Sequence, residues 1–307
     1  MDIFIQQVIN GLVLGCVYAI VALGYTMVYG IIQLINFAHG ELVMIGALVA
    51  FSVISLLAGS GLPPLVIVLI GTGCAIPVCV ALGYALERIA YRPLRNAPRL
   101  APLITAIGMS IILQHLAMLV WGRNPLAYPQ IIKLETFNIG EATITSVQVA
   151  IVLISTMMMA GLALLVYRTR LGTAMRATAQ NRQVAGLMGI DANRIIAVTF
   201  VIGAALAAVA GVMVGTYYGI GHYTMGAHLG LKAFAAAVLG GIGNLPGAML
   251  GGILLGLVEA LGAGYIGDLT NDVFGSNYQD VFAFLVLIAV LIFRPSGILG
   301  ERVGDRA

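Results

Sequence analysis

The chain contains 307 residues, of which 61% are apolar and 9% are charged, and its net charge is +3. Soluble domains carry about a quarter charged residues, so this composition excludes an ordinary soluble fold and indicates a protein whose outer surface faces membrane lipid. The small net charge gives no indication of a nucleic-acid partner, and none is expected.

Apolar runs follow one another along the chain, and a membrane-spanning helix requires about 20 mostly apolar residues. The longer runs occupy residues 8–29, 41–58, 65–86, 102–121, 147–167, 195–218 and 248–265, and the shorter ones 232–242 and 281–293. The pattern predicts an all-α, polytopic membrane protein with about eight to nine transmembrane segments, some of them broken or re-entrant, in one domain over residues 1–307.

Basic residues are concentrated in segments 87–99, 168–194 and 294–307, which hold twelve of the fifteen lysines and arginines. Because cytoplasmic loops are enriched in Lys and Arg, we expect all three segments, and with them the C-terminus, in the cytoplasm and the N-terminus outside. No Lys or Arg precedes Arg88, so the first apolar run is interpreted as a retained membrane segment and not as a signal peptide. For 87–99 and the tail, orientation is the only role that we expect.

Two interruptions of apolar sequence, IIQLINFAHGE and GGIGNLPGA, lie in different halves of the chain. Paired interruptions of this kind are typical of a transport path, although ordinary turns between spans would produce the same pattern. For Glu41 the alternatives are pairing with His39 and capping of the next helix, and we expect capping. The candidate pathway residues are Asn36, Phe37, His39, Glu41, Gly240, Gly241, Gly243 and Asn244.

Other polar residues and glycines within the apolar runs have mainly structural interpretations. We expect Gln114 and His115 to form inter-helix hydrogen bonds and not substrate contacts. Glu259 requires a partner, and Lys232 could be that partner or could extend to the outer interface. Glycines that repeat every four residues predict close helix packing, and they are Gly211, Gly215 and Gly219, then Gly247 and Gly251, then Gly252 and Gly256.

Segment 168–194 contains helix signals that topology alone does not require. Asn181 is a predicted N-cap, Gly189 a predicted C′ residue and Asp191 a predicted cap of the next helix. Between the first two, Val184, Leu187 and Met188 form a small apolar stripe. A stripe with basic flanks could dock in a groove of a partner protein or lie against anionic lipid, and these alternatives stay open.

Motifs of enzymes and of metal or nucleotide sites are absent from the sequence. It contains no G-x-x-x-x-G-K-[ST], no G-x-S-x-G and no H-E-x-x-H, and its histidines lack metal-ligand spacing. Cys16, Cys74 and Cys79 lie in apolar runs, and we expect them to be buried packing residues. We therefore expect no catalytic residue, no metal and no cofactor on this chain.

The pattern RAxAQNxxxAxLMGIDxxR in segment 168–194 resembles the coupling loop of ABC-importer permeases. More of the chain resembles the branched-chain amino acid permeases of the LivH type, everywhere except 122–146. The stretches are GYTMVYGIIQLINFAHGE (24–41), ERIAYRPLR (87–95), ITAIGMSIILQ (104–114), VTFVIGAALAAVAGV (198–212), KAFAAAVLGGIGNLPGAMLGG (232–252) and RPSGILG (294–300).

The resemblance implies a permease subunit in a bacterial inner membrane, paired with a second permease that is a related but different chain. It also implies two cytoplasmic ATPase subunits, which carry ATP and Mg²⁺, and a periplasmic substrate-binding protein. The cargo would be a branched-chain amino acid, moved by ATP-driven alternating access. The implied ATPase-coupling residues are Arg176, Ala177, Asn181, Ala185, Leu187, Gly189 and Ile190.

Other functions compete with this one. The same class of importer could carry urea, short amides or other amino acids. A secondary transporter or channel would move cargo without ATP, and a membrane-embedded enzyme would need a catalytic cluster that the sequence lacks.

Overall fold

The computed structural model describes residues 2–95, 97–98, 100–131, 135–139, 142–269 and 278–300. The helices are α1 Asp2–Ile32, α2 His39–Leu57, α3 Pro64–Ala85, α4 Leu100–Trp121, α5 Ser146–Arg168, α6 Arg170–Gln180, α7 Arg182–Leu187, α8 Ala192–Tyr218, α9 Met225–Gly240, α10 Leu245–Leu269 and α11 Gln279–Phe293. The strands are β1 Leu126–Ala127, β2 Thr136–Ile139, β3 Ala142–Thr145 and β4 Ile220–Gly221. Arg302 and Arg306 of the predicted cytoplasmic tail lie outside the described residues.

Within the described residues, seven helices are long and apolar enough to cross a membrane, and α9 and α11 are shorter apolar helices. The prediction of a polytopic all-α membrane protein is therefore confirmed. Helix α9 begins at Met225, seven residues before the predicted run, because glycines and His228 made its first two turns look like a loop.

Segment 87–99, predicted as a loop, is largely helical, and segment 168–194 contains short helices as its signals predicted. Residues 87–99 were expected to leave the membrane directly after α3, but a π-helical turn over Leu86–Tyr91 and a 3₁₀ turn over Arg92–Leu94 continue that helix. Segment 168–194 consists mainly of α6, α7 and the first turn of α8.

The chain falls into two compact units. Unit 1 is built from residues 1–26, 134–157 and 232–307, and unit 2 from residues 27–133 and 158–231. The expectation of one permease domain over residues 1–307 stays a prediction.

In unit 1, α1 packs against α10 through glycines on both helices. A Cβ on Gly11 would lie 2.8 Å from Leu257 Cα, and one on Gly15 would lie 2.6 Å from Ile253 Cα. Gly252 and Gly256 face the backbone of α1 in turn. The predicted close packing of this glycine pair is confirmed, and it brings the two backbones together without side chains between them.

In unit 2, the core forms where α2, α3 and α8 pack together. A Cβ on Gly46 would lie 2.7 Å from Ala208 Cα, and Gly211 faces the Val43 carbonyl, so α2 and α8 are in backbone contact. Gly219, predicted to continue that glycine face, instead ends α8 in the left-handed conformation with φ +68°. It therefore serves as a helix terminator and not as a packing residue.

The four short strands in the described part of the chain form two antiparallel pairs, and the three cysteines differ in burial. β1 pairs with β4 in unit 2, and β2 pairs with β3 in unit 1, both antiparallel. Cys16 and Cys79 are buried, as expected, whereas Cys74 is exposed on α3, so its predicted burial is wrong. An apolar run in a membrane protein has a lipid-facing side, and sequence alone did not assign Cys74 to it.

Candidate translocation and coupling sites

The break between α1 and α2, residues 33–38, is fixed by buried contacts. Gln33 has φ +53°, which ends the helical backbone of α1. The Asn36 side chain is 2% exposed, and its Oδ1 accepts a hydrogen bond of 2.8 Å from the Tyr91 hydroxyl. The Tyr91 ring in turn packs on Phe200, with 5.2 Å between ring centroids. Asn36 and Ala38 are therefore buried in unit 2, whereas Gln33 is exposed and the other three residues of the segment are half-buried.

Glu41 lies in the first turn of α2, directly after this break, and its side chain is fully buried. Its Oε1 accepts hydrogen bonds from Ser110 Oγ and Gln114 Nε2 of α4, each 2.8 Å long. The expected capping role is wrong, because no side chain among the described residues caps α2 and the carboxylate joins it to a second helix. The expected inter-helix role of Gln114 is confirmed, whereas His115 bonds to Ile111 O of its own helix.

The second predicted break, residues 241–244, lies in unit 1 and is covered by the segment that follows α11. Gly241 and Gly243 have φ +105° and +97°. The amides of Ile298 and Leu299 donate to the carbonyls of Leu239 and Gly240 at 2.9 and 3.0 Å. Segment 294–300 thus satisfies the last carbonyls of α9, so the expectation that the tail serves only for orientation is wrong.

Asn244 belongs to the same arrangement. Its Oδ1 accepts from Gly247 N at 3.1 Å, which caps α10, and its Nδ2 donates to Leu299 O at 2.8 Å. These contacts give the GGIGN sequence a structural role. The candidate pathway residues of the two breaks belong to different units, and their part in transport stays a prediction.

The predicted helix signals of segment 168–194 are present. Asn181 Oδ1 accepts from the amides of Gln183 and Val184, Asp191 Oδ1 accepts from those of Asn193 and Arg194, and Gly189 has φ +82°. Arg176 is held by the Val166 carbonyl and lies over the Tyr167 ring, which ties α6 to the end of α5. Ala185 is buried, whereas Ala177 and Ile190 are half-buried.

The apolar stripe of α7 points away from unit 2. Val184, Leu187 and Met188 are 52%, 87% and 78% exposed. Leu187 is the last residue of this six-residue helix and Met188 is its C-cap, and the surrounding segment carries arginines. An apolar tip of this kind is typical of a docking element.

Arg182, at the start of α7, is a residue that sequence reasoning missed. Its Nη2 donates to Ile31 O at the end of α1, at 3.1 Å. Burial lowers the pKa of Arg182, and the carbonyl at a helix C-terminus offsets part of the cost of holding its charge there. No sequence signal distinguishes Arg182 from the other arginines of the segment, because its partner lies 151 residues away.

Segment 87–99 also contributes contacts that topology does not explain. Glu87, 1% exposed, forms an ion pair with Arg95, and Arg95 also donates to Asn193 Oδ1 at the start of α8. Burial lowers the pKa of Arg95, and the Glu87 carboxylate opposes that change. The expectation that this segment serves only for orientation is therefore wrong.

A second buried charge cluster lies in unit 1. Lys232 Nζ of α9 lies 2.7 Å from Glu259 Oε1 of α10 and 2.7 Å from Asp280 Oδ1 of α11. The ammonium group also lies 5.8 Å from the centroid of the Tyr18 ring. Lys232 is therefore the partner that Glu259 requires, and the cluster joins three helices. Within the described residues, no three His, Cys, Asp or Glu side chains are grouped as a metal site.

Comparison with known proteins identifies the family. Residues 7–291 match the family described as branched-chain amino acid transport system, permease component. The high-affinity branched-chain amino acid transport system permease protein BraD of Pseudomonas aeruginosa is 51% identical over 304 residues, which is 97% of this chain and 96% of that one. The corresponding LivH of Escherichia coli is 46% identical, with the same coverage.

More distant relatives have the same kind of name. The probable branched-chain amino acid transport permease LivH of Methanocaldococcus jannaschii is 28% identical and covers 92% of this chain and 88% of its own length. No solved structure matches. The chain belongs to the family of branched-chain amino acid transport system permease components.

Proposed function

We propose that this chain is a permease subunit of an ATP-driven importer that carries branched-chain, aliphatic amino acids across the bacterial inner membrane. The observation that carries the proposal is similarity over nearly the whole chain to permeases named for high-affinity branched-chain amino acid transport, at 51% and 46% identity. Autoinducer import permeases are also similar, but over only 44% of this chain, so they support the class of importer and not the cargo.

The proposed assembly has a second, related permease chain, two cytoplasmic ATPase subunits and a periplasmic substrate-binding protein. ATP and Mg²⁺ would bind to the ATPases. If each of the seven long and two shorter apolar helices crosses once, the segments after α3, α5 and α11 lie on one side. Because cytoplasmic loops are enriched in Lys and Arg, the arginines of these segments support a cytoplasmic location for that side and a periplasmic N-terminus.

In the proposed mechanism, α7 receives the motion of the ATPases. Its exposed Leu187 and Met188 would insert into a groove of an ATPase. Movement of α7 would then act on the end of α1 through Arg182 and its bond to Ile31 O. The α1–α2 break follows directly, so a small shift at the cytoplasmic surface reaches Asn36 and Glu41.

The test of the proposed function is ATP-dependent uptake of labelled leucine into proteoliposomes. The chain would be reconstituted with the second permease, the ATPases and the binding protein, and also alone. We expect uptake only by the complete assembly with ATP. Uptake by the lone chain would support a secondary transporter instead, and uptake of urea in preference to leucine would refute the cargo.

Two variants separate docking from transmission. Leu187→Asp places a charge on the docking tip, and because Leu187 is 87% exposed we expect loss of ATPase binding with no loss of fold. Leu187→Met is its matched control.

Arg182→Gln should leave the ATPases bound but raise the number of ATP molecules hydrolysed per leucine imported. Arg170→Gln, at an exposed arginine of α6, should behave as wild type. Normal coupling in Arg182→Gln would contradict the proposed transmission.

A further inference from the structure

The carboxylate of Glu41 is satisfied on one oxygen only. Oε1 accepts the hydrogen bonds from Ser110 and Gln114, whereas among the described residues no group donates to Oε2, which is buried. No salt bridge joins Glu41 to a Lys, Arg or His in the part of the chain that the structure describes. A buried carboxylate oxygen without a donor or a cation costs free energy, and ionisable groups in membranes usually persist because they bind something.

The surroundings of Oε2 define what could bind there. Oε2 faces Gly226, since a Cβ added at Gly226 would collide with that oxygen and with the Gly40 carbonyl. A Cβ added at Gly40 would collide with Gly226 O and would lie 2.8 Å from Gly230 Cα. The first turns of α2 and α9 therefore meet at Glu41, and all of these residues belong to unit 2.

Acceptors predominate at this junction, where Glu41 Oε2 lies beside the carbonyl oxygens of Gly40 and Gly226, and such a set suits an ammonium group. The unpartnered Oε2 is an acceptor for an ammonium group. The N-terminal turns of two helices present backbone amides and partial positive charge, which favour a carboxylate. Broken helices whose N-termini face anionic substrate groups are a recurring arrangement in transporters.

We propose that Glu41 Oε2 binds the ammonium group of an α-amino acid during transport, with the substrate carboxylate at the N-terminal turns of α2 and α9. This inference rests on the proposed function and names the residue that recognises the substrate head group. In the present structure, the Gly40–Gly226 contact closes the site. Substrate enters when the first turn of α9 moves away from α2, which the absence of interlocked side chains at the two glycines permits.

The test is binding of tritiated leucine to the complete importer in nanodiscs, without the binding protein, for wild type and Glu41→Gln. Glutamine keeps an oxygen that accepts from Ser110 and Gln114 but removes the negative charge. We expect affinity for leucine to fall by about tenfold or more, equivalent to about 1.4 kcal/mol. Ser110→Ala, which removes a donor to Oε1 and leaves Oε2 unchanged, should lose much less. Equal leucine affinity in Glu41→Gln and wild type would overturn the inference.

Displacement of bound leucine from the wild-type complex by leucine analogues gives a second readout. It tests the inference even if the Glu41→Gln complex does not assemble. Isoamylamine has the ammonium group of leucine without the carboxylate, and isocaproate has the carboxylate without the ammonium group. We expect isoamylamine to displace leucine at lower concentration than isocaproate. Displacement of leucine by isocaproate at lower concentration than by isoamylamine would overturn the inference. A complex that imports leucine but shows no measurable leucine binding would overturn it as well. Absence of ATP-dependent uptake would instead refute the proposed function.

Discussion

Replacing Lys232 with methionine should destabilise unit 1, because it removes the cation that contacts a buried carboxylate. Lys232 is the cation in the described residues that contacts Glu259, whose side chain is 2% exposed. Methionine fills a similar volume but leaves that carboxylate buried and uncompensated. Asp280 loses the same partner, and although its Oδ1 is buried, its side chain as a whole is 45% exposed.

The magnitude follows from this difference in exposure. Removing one partner of a buried ion pair costs about 3–5 kcal/mol, because the remaining charge stays desolvated. An exposed pair contributes about 0–1 kcal/mol, so the Asp280 contact adds little. Lys232→Met should therefore lower the stability by about 3–5 kcal/mol. Lys232→Met combined with Glu259→Met should recover most of the loss, because no buried charge is left.

The assay is thermal unfolding of the purified chain in detergent, followed by circular dichroism, for wild type, both single variants and the double variant. A thermodynamic cycle over the four proteins isolates the coupling between the two side chains. Asp280→Asn is the matched control, and its unfolding temperature should stay close to that of wild type. A Lys232→Met protein as stable as wild type would refute the argument, as would a double variant less stable than either single variant.

The other predictions concern packing, capping and the α1–α2 break. Gly256→Ala should lower the unfolding temperature because its Cβ would collide with the backbone of α1, whereas Gly73→Ala, which meets nothing within 4 Å, should be neutral; equal effects would contradict the glycine packing. Asn181→Ala should cost about 1 kcal/mol of stability through loss of the α7 cap, and Asn181→Asp should retain it; hydrogen exchange of the α7 amides measures this, and unchanged exchange in the alanine variant would count against the cap. Tyr91→Phe should cost about 1–3 kcal/mol by leaving Asn36 Oδ1 buried without a donor; an unfolding temperature equal to that of wild type would show that another donor replaces the hydroxyl.

The features that could be predicted from sequence were local ones. Apolar run length placed the ends of the long helices to within six residues, because in lipid each backbone group must find its hydrogen-bond partner within the helix. Asn181, Gly189 and Asp191 were also predicted correctly, since a cap or a left-handed terminator depends on residues a few positions away.

The features that could not be predicted depend on distant partners. Glu41 is bonded by residues 69 and 73 positions away, so its neighbours in sequence wrongly suggested a cap. Ser110 and Gln114 lie four residues apart on one face of an apolar helix, and this spacing was the available signal for a buried polar contact. The contacts of segment 294–300 with the GGIGN break could not be predicted from sequence, because they are made by backbone amides, which nearly every residue type has.

The glycine contact between α1 and α10 has a consequence for how the chain is made. Gly11 meets Leu257, so the first helix of this sequence to enter the bilayer finds its partner only after more than 200 further residues have been synthesised. Until then the glycine face of α1 lacks its α10 partner, although Gln6 and Asn10 of α1 can already bond to Thr143 and Gln148. During biogenesis this unpacked glycine face can associate with any other helix that approaches equally closely. Correct folding of unit 1 therefore depends on keeping α1 away from foreign helices, a task for the insertion machinery and not for the finished protein.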